Sequence, residues 1–403
     1  MPLHPAETPV PGNPAPLNSV DSRSPERRQL LKWTTMLAAS GIGASGFGLS
    51  GARAQQPPSS PARPSGSAGP QGGQELRKGM IGYMLAHEQF PVPELMQIGS
   101  LASRSGFHLL ATSDHFQPWQ ANEGHAGEAW ITLGALGAQA PESWMGTTVT
   151  CPTLRYSPAV VAEAFATLTH LYPGRIFLGV GSGEALNEQA ATGMWPKWQE
   201  RWDRLIEAID IIRQLWTGQD VSHKGNFYTV NGRLYDPPAR PIPLLTAANG
   251  RKSMRLAGQH GDGLITDPQT WKQHKNEWEQ GARAAGKDPV NMPVLVEQYV
   301  VVGNQSDAQQ AAELWRFGPK AFKSYYDEPS PVRIEQMANQ QVPISEVLKD
   351  WAVGADPAVH VAKLRELFDS GVSIVNVHSG QPNQRQVIEF YASHVLPQFR
   401  QPV

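Results

Sequence analysis

Short apolar runs alternate with amphipathic segments along most of the chain, starting near Gly79. Near-continuous apolar runs are typical of parallel strands that are covered on both faces. The segments between them repeat their apolar residues with helical spacing. The eight runs are MIGYMLA, HLLATSDH, MGTTVTC, RIFLGVGSGE, PLLTAAN, DGLIT, PVLVEQYVVVG and VSIVNVHSG. Eight strand–helix units over this length predict an α/β protein with a (β/α)8 TIM barrel.

A doubly wound open sheet is the alternative fold. Such a sheet usually carries a glycine-rich phosphate loop after its first strand, and the stretch LAHEQFPVPE does not fit one. Two regions break the alternation. Residues 221–243 read as a small hairpin before the fifth strand, and residues 316–341 read as a long insertion. In a barrel, insertions on the C-terminal face of the strands shape the pocket.

The N-terminal region resembles a twin-arginine (Tat) export signal. Arg27 and Arg28 precede an apolar, Gly- and Ala-rich run from about Thr34 to Gly51, and small residues follow at Ala52–Ala54. This run is too short and too glycine-rich for a good membrane span. The alternative is a disordered tail with a chance arginine pair. We expect a signal peptide over residues 1–54, a Pro/Ser/Gly-rich linker over 55–78 and a barrel domain over 79–403.

The signal predicts export by the Tat machinery to the periplasm or cell envelope. The overall charge argues against a nucleic-acid partner, because 34 Lys and Arg residues nearly balance 36 Asp and Glu residues. Cys151 is the only cysteine, which excludes an intramolecular disulfide.

Polar and titratable residues follow several of the predicted strands. In a barrel, the C-terminal ends of the strands carry the active site. One polar loop could be explained by helix capping. A histidine, two glutamates and an aspartate on neighbouring strands favour a functional site. The residues at these ends are His87, Glu88, Gln89, Asp114, His115, Trp119, Thr148–Cys151, Glu184, Asn187, Ala247–Asn249, Asn376, His378 and Ser379.

The stretch GVGSGEALNE carries three alternating glycines after the fourth strand. Glycines there allow a backbone to approach a planar or phosphate-bearing ligand closely. The spacing does not match a serine nucleophile elbow. A catalytic metal is not expected, because the sequence has neither an H-E-x-x-H motif nor a Cys/His cluster.

Four motifs together resemble the F420-dependent branch of the bacterial-luciferase-like family. They are SDHFQPW, YSPAVVAEAFATL, YPGRIFLGVGSGEALNE and IIRQLWTG. The resemblance runs from about Gly82 to Arg400 and implies a (β/α)8 barrel, the deazaflavin coenzyme F420 and a homodimer. It implies a dehydrogenase that transfers a hydride between an alcohol and the coenzyme.

The same resemblance implies roles for individual residues. His115 would be the base on the substrate hydroxyl, and Trp119 would wall the pocket. Glu184 would be the acid that exchanges the coenzyme proton, and Glu88 would be an acidic pocket residue. The implied coenzyme contacts are Asp114, Thr148, Val149, Gly183, Asn187, Ala247, Ala248 and Asn249. Thr148 and Val149 match a pair that often carries a non-prolyl cis peptide bond in that family. His87 and His378 fit a structural role better.

The match departs from the sugar-phosphate members of that branch, which hold the phosphate with Lys and Arg. The stretch ITDPQTW has no Lys at the matching place, and Asp350 stands where the family has Arg. Lys320 and Lys323 are the cations that could compensate. A neutral or lipid-like alcohol therefore fits better than a sugar phosphate.

Two other functions stay open. One is an FMN-dependent monooxygenase of the same wider family, since both cofactors use this barrel. The other is an exported solute-binding protein without catalysis, although such proteins usually show two-lobed α/β patterns. The motif pair SDHFQPW and GEALNE favours F420 over FMN.

Overall fold

The computed structural model describes residues 75–319 and 322–399. The predicted Tat signal and most of the predicted linker therefore lie outside the described residues. Lys320 also lies outside them. Among the described helices, none is both long and apolar enough to span a membrane.

The described residues contain eleven strands. They are β1 (Met80–Leu85), β2 (Leu109–Thr112), β3 (Trp144–Thr147), β4 (Ile176–Val180), β5 (Val221–Lys224), β6 (Thr229–Gly232), β7 (Leu244–Ala247), β8 (Gly263–Thr266), β9 (Val294–Val301), β10 (Ala352–Val353) and β11 (Ile374–His378). Eight of them pair in parallel in the order β1, β2, β3, β4, β7, β8, β9 and β11. Because β11 also pairs with β1, the sheet closes into the predicted barrel.

Helices connect and cover these strands. They are α1 (Val92–Arg104), α2 (Ala129–Leu136), α3 (Pro158–Leu171), α4 (Ala185–Thr192), α5 (Trp198–Trp216), α6 (Arg251–His260), α7 (Pro268–Ala284), α8 (Gln305–Leu314), α9 (Pro331–Gln341), α10 (Ile344–Val347), α11 (Pro357–Asp369) and α12 (Gln384–Phe390). Short 3-10 turns cover Ser324–Asp327, Leu348–Asp350 and Leu396–Phe399, and a π turn covers Tyr391–Val395.

Side chains on each strand alternate between two cores, as strand geometry requires. On β1, Met80 and Met84 join a cluster inside the barrel. Tyr83 and Leu85 join the larger cluster between the strands and the outer helices. Gly179 on β4 permits close strand packing, because a Cβ atom there would lie 2.0 Å from the carbonyl oxygen of Thr147.

The two expected interruptions are present. The hairpin is β5 paired antiparallel with β6. The insertion lies after β9 and contains the turn Ser324–Asp327 and helix α9. The sequence did not predict β10, which extends the sheet by pairing with the end of β9. It also did not predict α4 and α8 as separate helices.

Candidate active site

His115 follows β2 at the rim where the parallel strands end. Its Nδ1 atom lies 3.1 Å from the carbonyl oxygen of Gln117. Because a carbonyl only accepts, this bond places the ring proton on Nδ1 and leaves Nε2 as an acceptor. Nε2 lies 3.5 Å from Oε1 of Glu88. Nε2, the nitrogen that accepts in the neutral form of this ring, therefore lies beside a carboxyl group.

Glu88 follows β1 and is 1% exposed. Its second oxygen accepts a 2.6 Å hydrogen bond from the hydroxyl of Ser113. Glu123 is a second buried carboxyl in this region, and its backbone partner Gln120 donates to it at 3.0 Å. Burial, and then the charge of Glu88, raises the pKa of Glu123 well above its ordinary value. The environment of Glu123 therefore favours the protonated form of that carboxyl group.

Trp119 stands beside His115 with the two ring centroids 4.8 Å apart. Its other neighbours come from the insertion. Phe317 stacks on it at 4.7 Å, and Tyr325 meets it edge-on at 5.4 Å. The predicted pocket wall is therefore one member of an aromatic cluster whose other members are distant in sequence.

Asp114 lies next to His115 but points into a buried polar network. Its carboxylate accepts hydrogen bonds from Thr150 at 2.6 Å, Tyr156 at 3.0 Å and Arg155 at 3.0 Å. The side chain is 1% exposed. Its predicted contact with the coenzyme stays a prediction, and the structure adds that both of its oxygens already have protein donors.

Glu188 extends the same network onto α4. It accepts a 2.7 Å hydrogen bond from the backbone N–H of Arg155, and the Arg155 guanidinium lies 3.8 Å away. Burial raises the pKa of Glu188 to about 7. Gly183 packs over this side chain with a φ of +88°, and a Cβ atom there would lie 2.6 Å from Cγ of Glu188. Only glycine fits that turn without displacement.

Glu184 precedes α4 at the N-cap position, but its side chain makes no capping bond. Capping therefore does not account for this acid. Nδ2 of Asn187 lies 3.4 Å from Oε2 of Glu184. The side-chain oxygen of Asn187 accepts a 2.8 Å hydrogen bond from the backbone N–H of Phe116. Asn187 thus ties Glu184 to the loop that carries His115 and Trp119.

The floor of the barrel mouth is small and apolar. The peptide bond between Thr148 and Val149 is cis, as the resemblance predicts. Thr148, Val149 and Ala247 are half-buried, whereas most of the residues that precede them on their strands are fully buried. Val149 and Ala247 pack on the cluster that fills the barrel interior. These three residues therefore form a half-buried, largely apolar surface at the mouth.

Ala248 and Asn249 follow β7. Ala248 is 5% exposed, and its backbone N–H and carbonyl already bond Ile265 and Thr266. Asn249 is exposed and donates to the hydroxyl of Tyr326 in the insertion. Of these two predicted coenzyme contacts, Asn249 has the more accessible side chain.

The two places that lack the expected cations, the stretch ITDPQTW and Asp350, contact each other. Gln269 on α7 donates from its side chain to a carboxylate oxygen of Asp350. Lys323 is exposed on the insertion. An amide and a carboxylate thus face each other where the resemblance leads one to expect a phosphate clamp.

His87 is structural, as expected from the sequence. Its ring is fully buried and hydrogen-bonds to Thr112, Thr132 and the Ser113 carbonyl. Burial lowers its pKa, which keeps it neutral. No set of three or more His, Cys, Asp or Glu side chains arranged for a metal ion occurs in the described part of the chain.

Sequence reasoning missed Arg155, Glu188 and Tyr326. Glu188 ends the motif GEALNE and Arg155 precedes a motif tyrosine, so both were within reach of a motif reading. Tyr326 had no such signal, because it reaches Asn249 across 77 residues of sequence.

Comparisons with known proteins agree with this geometry. The luciferase-like monooxygenase family matches residues 74–373, which is well over half of the chain. An F420-dependent hydroxymycolic acid dehydrogenase of Mycobacterium tuberculosis is 44% identical over 79% of this chain and 88% of its own length. The F420-dependent glucose-6-phosphate dehydrogenase 1 of Rhodococcus jostii is 38% identical over 79% of this chain and 98% of its own.

Solved structures are also similar. An F420-dependent secondary alcohol dehydrogenase in complex with an F420–acetone adduct superposes with a TM-score of 0.77 at 30% identity, over 80% of this chain and 100% of its own. An F420-dependent tetrahydromethanopterin reductase of Methanopyrus kandleri shares the fold, with a TM-score of 0.65 at 20% identity. The chain belongs to the luciferase-like family. The relatives described here at 30% identity or more are F420-dependent dehydrogenases.

Proposed function

We propose that this protein is an F420-dependent dehydrogenase that oxidises or forms an alcohol. The observation that carries the proposal is the pairing of His115 with Glu88 beside Trp119, above a floor that suits a planar ring. The similarity to F420-dependent dehydrogenases supports the coenzyme and favours it over FMN. The same similarity counts against a solute-binding protein.

His115 has the geometry of a general base. Its Nδ1–H is held by the Gln117 carbonyl, so Nε2 can accept the proton of a substrate hydroxyl. The imidazolium that results is stabilised by the Glu88 carboxylate 3.5 Å away. The Ser113 hydroxyl fixes that carboxylate at 2.6 Å. Trp119 confines the substrate carbon next to His115.

The residues present fit a deazaflavin. Thr148, Val149 and Ala247 form the half-buried floor, and Gly183 lets the loop after β4 pack closely on Glu188. When bound, the coenzyme supplies the hydride acceptor or donor. Glu184 places a carboxyl group after β4 that makes no capping bond and accepts one hydrogen bond from Asn187, which suits exchange of a proton with the coenzyme.

We further propose that the substrate is a neutral or lipid-like alcohol. The Gln269–Asp350 pair supports this, because a carboxylate would repel a substrate phosphate. The aromatic cluster of Trp119, Phe317 and Tyr325 also supports it, because such rings favour apolar groups.

Titration with coenzyme F420 and, separately, FMN tests the cofactor. Tryptophan fluorescence reports binding, since Trp119 lies beside His115 and Trp130 donates a hydrogen bond to Thr150 in the Asp114 network. We expect tight binding of F420 and weak binding of FMN. Preference for FMN would move the protein to the monooxygenases, and binding of neither would overturn the proposal.

The substrate class is tested by mixing the protein and F420 with a panel of alcohols. The loss of absorbance near 420 nm measures reduction of the coenzyme. We expect turnover with secondary or long-chain alcohols and none with glucose 6-phosphate. The double variant Gln269→Lys with Asp350→Asn is the matched control. It removes the negative charge of residue 350 and places a positive charge at residue 269. Efficient turnover of the sugar phosphate by the unmodified protein would contradict the proposed substrate.

We also propose export by the Tat pathway, supported by Arg27, Arg28 and the small residues that follow the apolar run. A reporter fused after residue 54 should reach the cell envelope, and Arg27→Lys with Arg28→Lys should retain it in the cytoplasm. Export that survives the double substitution would contradict this.

A further inference from the structure

Glu297 and His378 form a carboxylate–imidazole pair inside the barrel that the proposed reaction does not use. Nδ1 of His378 on β11 lies 2.5 Å from Oε1 of Glu297 on β9. Among the described residues, His378 is the one ion-pair partner of Glu297. The pair therefore leaves Glu297 without a Lys or Arg to neutralise it.

Glu297 lies two residues after Leu295 on β9, so the two side chains are on the same face of the strand. Leu295 belongs to the interior cluster, and Glu297 therefore points into the barrel. Yet its side chain is 25% exposed, whereas His378 is 1% exposed. The neighbouring strand β8 ends opposite Val296, so Glu297 lies just beyond that strand end, where an inward-facing side chain gains exposure at the mouth. The carboxylate is thus the part of the pair that a substrate can reach.

His378 is held in place by aromatic rings. Tyr299 stacks on it at 4.4 Å, and Trp315 meets it edge-on at 4.3 Å. Its Nε2 atom is buried and has no hydrogen-bond partner among the described residues. A phenylalanine would fill this slot without an unpaired nitrogen, whose burial costs free energy. Packing alone therefore does not explain a histidine here, whereas orienting Glu297 does.

The pair lies on the substrate side of the mouth. Its strand β11 pairs with β1, which Glu88 follows. A chain of ring contacts also links His378 to the proposed base, through Trp315, Phe317 and Trp119. By contrast β4, which precedes Glu184, lies across the barrel from β11.

We propose that Glu297, oriented by His378, is a specificity-determining residue that accepts a hydrogen bond from a second hydroxyl group of the substrate and repels anionic substrates. This inference rests on the proposed alcohol substrate. A carboxylate has about four acceptor sites, so the bond to His378 leaves room for a ligand donor. Burial, and then the charge of Glu297, raises the pKa of Tyr299, which keeps the neighbouring phenol protonated.

Calorimetric binding of three matched ligand sets tests the inference, with and without coenzyme F420. The sets are secondary alkanols of one chain length, the same alkanols with a second hydroxyl two to five carbons away, and the corresponding hydroxy acids. We expect at least one diol to bind roughly five- to tenfold more tightly than its mono-alcohol. We expect the hydroxy acids to bind most weakly.

Glu297→Gln should reduce the diol preference and strengthen hydroxy-acid binding by about fivefold or more. His378→Phe should reduce the diol preference while keeping the ring stack, and it serves if Glu297→Gln does not fold. His360→Phe is the matched control, because His360 is a buried histidine with both nitrogens bonded, to Tyr391 and Gly354. The control should leave both ratios unchanged.

Equal ratios in the unmodified protein and Glu297→Gln would overturn the inference, as would undetectable binding of every alcohol and diol. Failure to bind F420 would overturn the proposed dehydrogenase instead. In that case the ligand ratios measured without coenzyme still decide the role of Glu297.

Discussion

The two sides of the barrel mouth are built in different ways. Around β2, β3 and β4, polar side chains hold one another through a dense buried network centred on Asp114 and Arg155. Around β9 and β11, the rings of Tyr299 on β9 and Trp315 after α8 pack on the polar pair of Glu297 and His378. The difference suggests a division of labour, in which the first side fixes a coenzyme and the second side selects a substrate.

His115 stands between the two sides, and its removal should have the largest effect. His115→Ala should lower turnover by about a thousandfold or more, because a general base contributes about 10²–10⁴ to rate. The Kd for F420 should change by less than about twofold. Steady-state kinetics with parallel fluorescence titration measures both.

The substitution Glu88→Gln tests the carboxyl group beside His115. It keeps the bond to the Ser113 hydroxyl but removes the charge beside Nε2. We expect a smaller loss of turnover than for His115→Ala. If His115→Ala abolishes F420 binding or unfolds the protein, the assignment of His115 as a base is wrong.

Breaking the polar network around Asp114 and Arg155 should have the next largest effect, a loss of folding stability. Arg155→Met leaves two carboxylates, Asp114 and Glu188, which are 1% and 0% exposed, without their cation. Removing one partner of a buried ion pair costs about 3–5 kcal/mol. Urea unfolding measures the loss. Arg385→Met is the control, because the Arg385–Glu389 pair is exposed and should contribute about 0.5 kcal/mol or less.

Glu188 should make that side sensitive to pH. Its folded pKa of about 7 lies above its ordinary value of 4.5, so the folded state holds the proton longer. The stability that this provides is complete below about pH 4.5 and is lost as the pH rises through about 7. Glu188→Gln stays neutral throughout.

The free energy of unfolding of Glu188→Gln, relative to the unmodified protein, should therefore rise between pH 5 and pH 8. The linkage limit is about 3 kcal/mol over these pKa values. Glu389→Gln on the surface should show no such trend. A flat difference for Glu188→Gln would mean that Arg155 keeps Glu188 ionised in the folded state.

The two sides also differ in how far the sequence predicts them. The eight strands and the hairpin followed from local periodicity, and the cis bond at Thr148–Val149 followed from the family motif. Asn187 bonds the backbone of Phe116, next to His115, because their motifs follow β4 and β2, which flank β3 in the barrel. These features depend on short sequence separations and on the fixed geometry of a barrel.

The substrate side was not predictable in the same way. Trp119 meets Phe317 of the insertion, and Gln269 meets Asp350 in a turn that follows the insertion, and neither segment has a repeating pattern. The bond from Asn249 to Tyr326 likewise joins the barrel to the insertion. Which ring packs on which depends on tertiary contacts that neither periodicity nor motif spacing encodes.

The smallest expected effect compares two tryptophans, one on each side. Trp119→Leu removes the ring beside His115, so the KM for an alcohol should rise about tenfold, which corresponds to about 1.4 kcal/mol. Its Kd for F420 should stay within about twofold. Trp130→Leu removes an indole that donates to Thr150 at 3.0 Å within the Asp114 network. That variant should weaken F420 binding and leave the KM for the alcohol nearly unchanged. If each variant instead changed both constants equally, the two sides would act as one binding surface and the division of labour would be wrong.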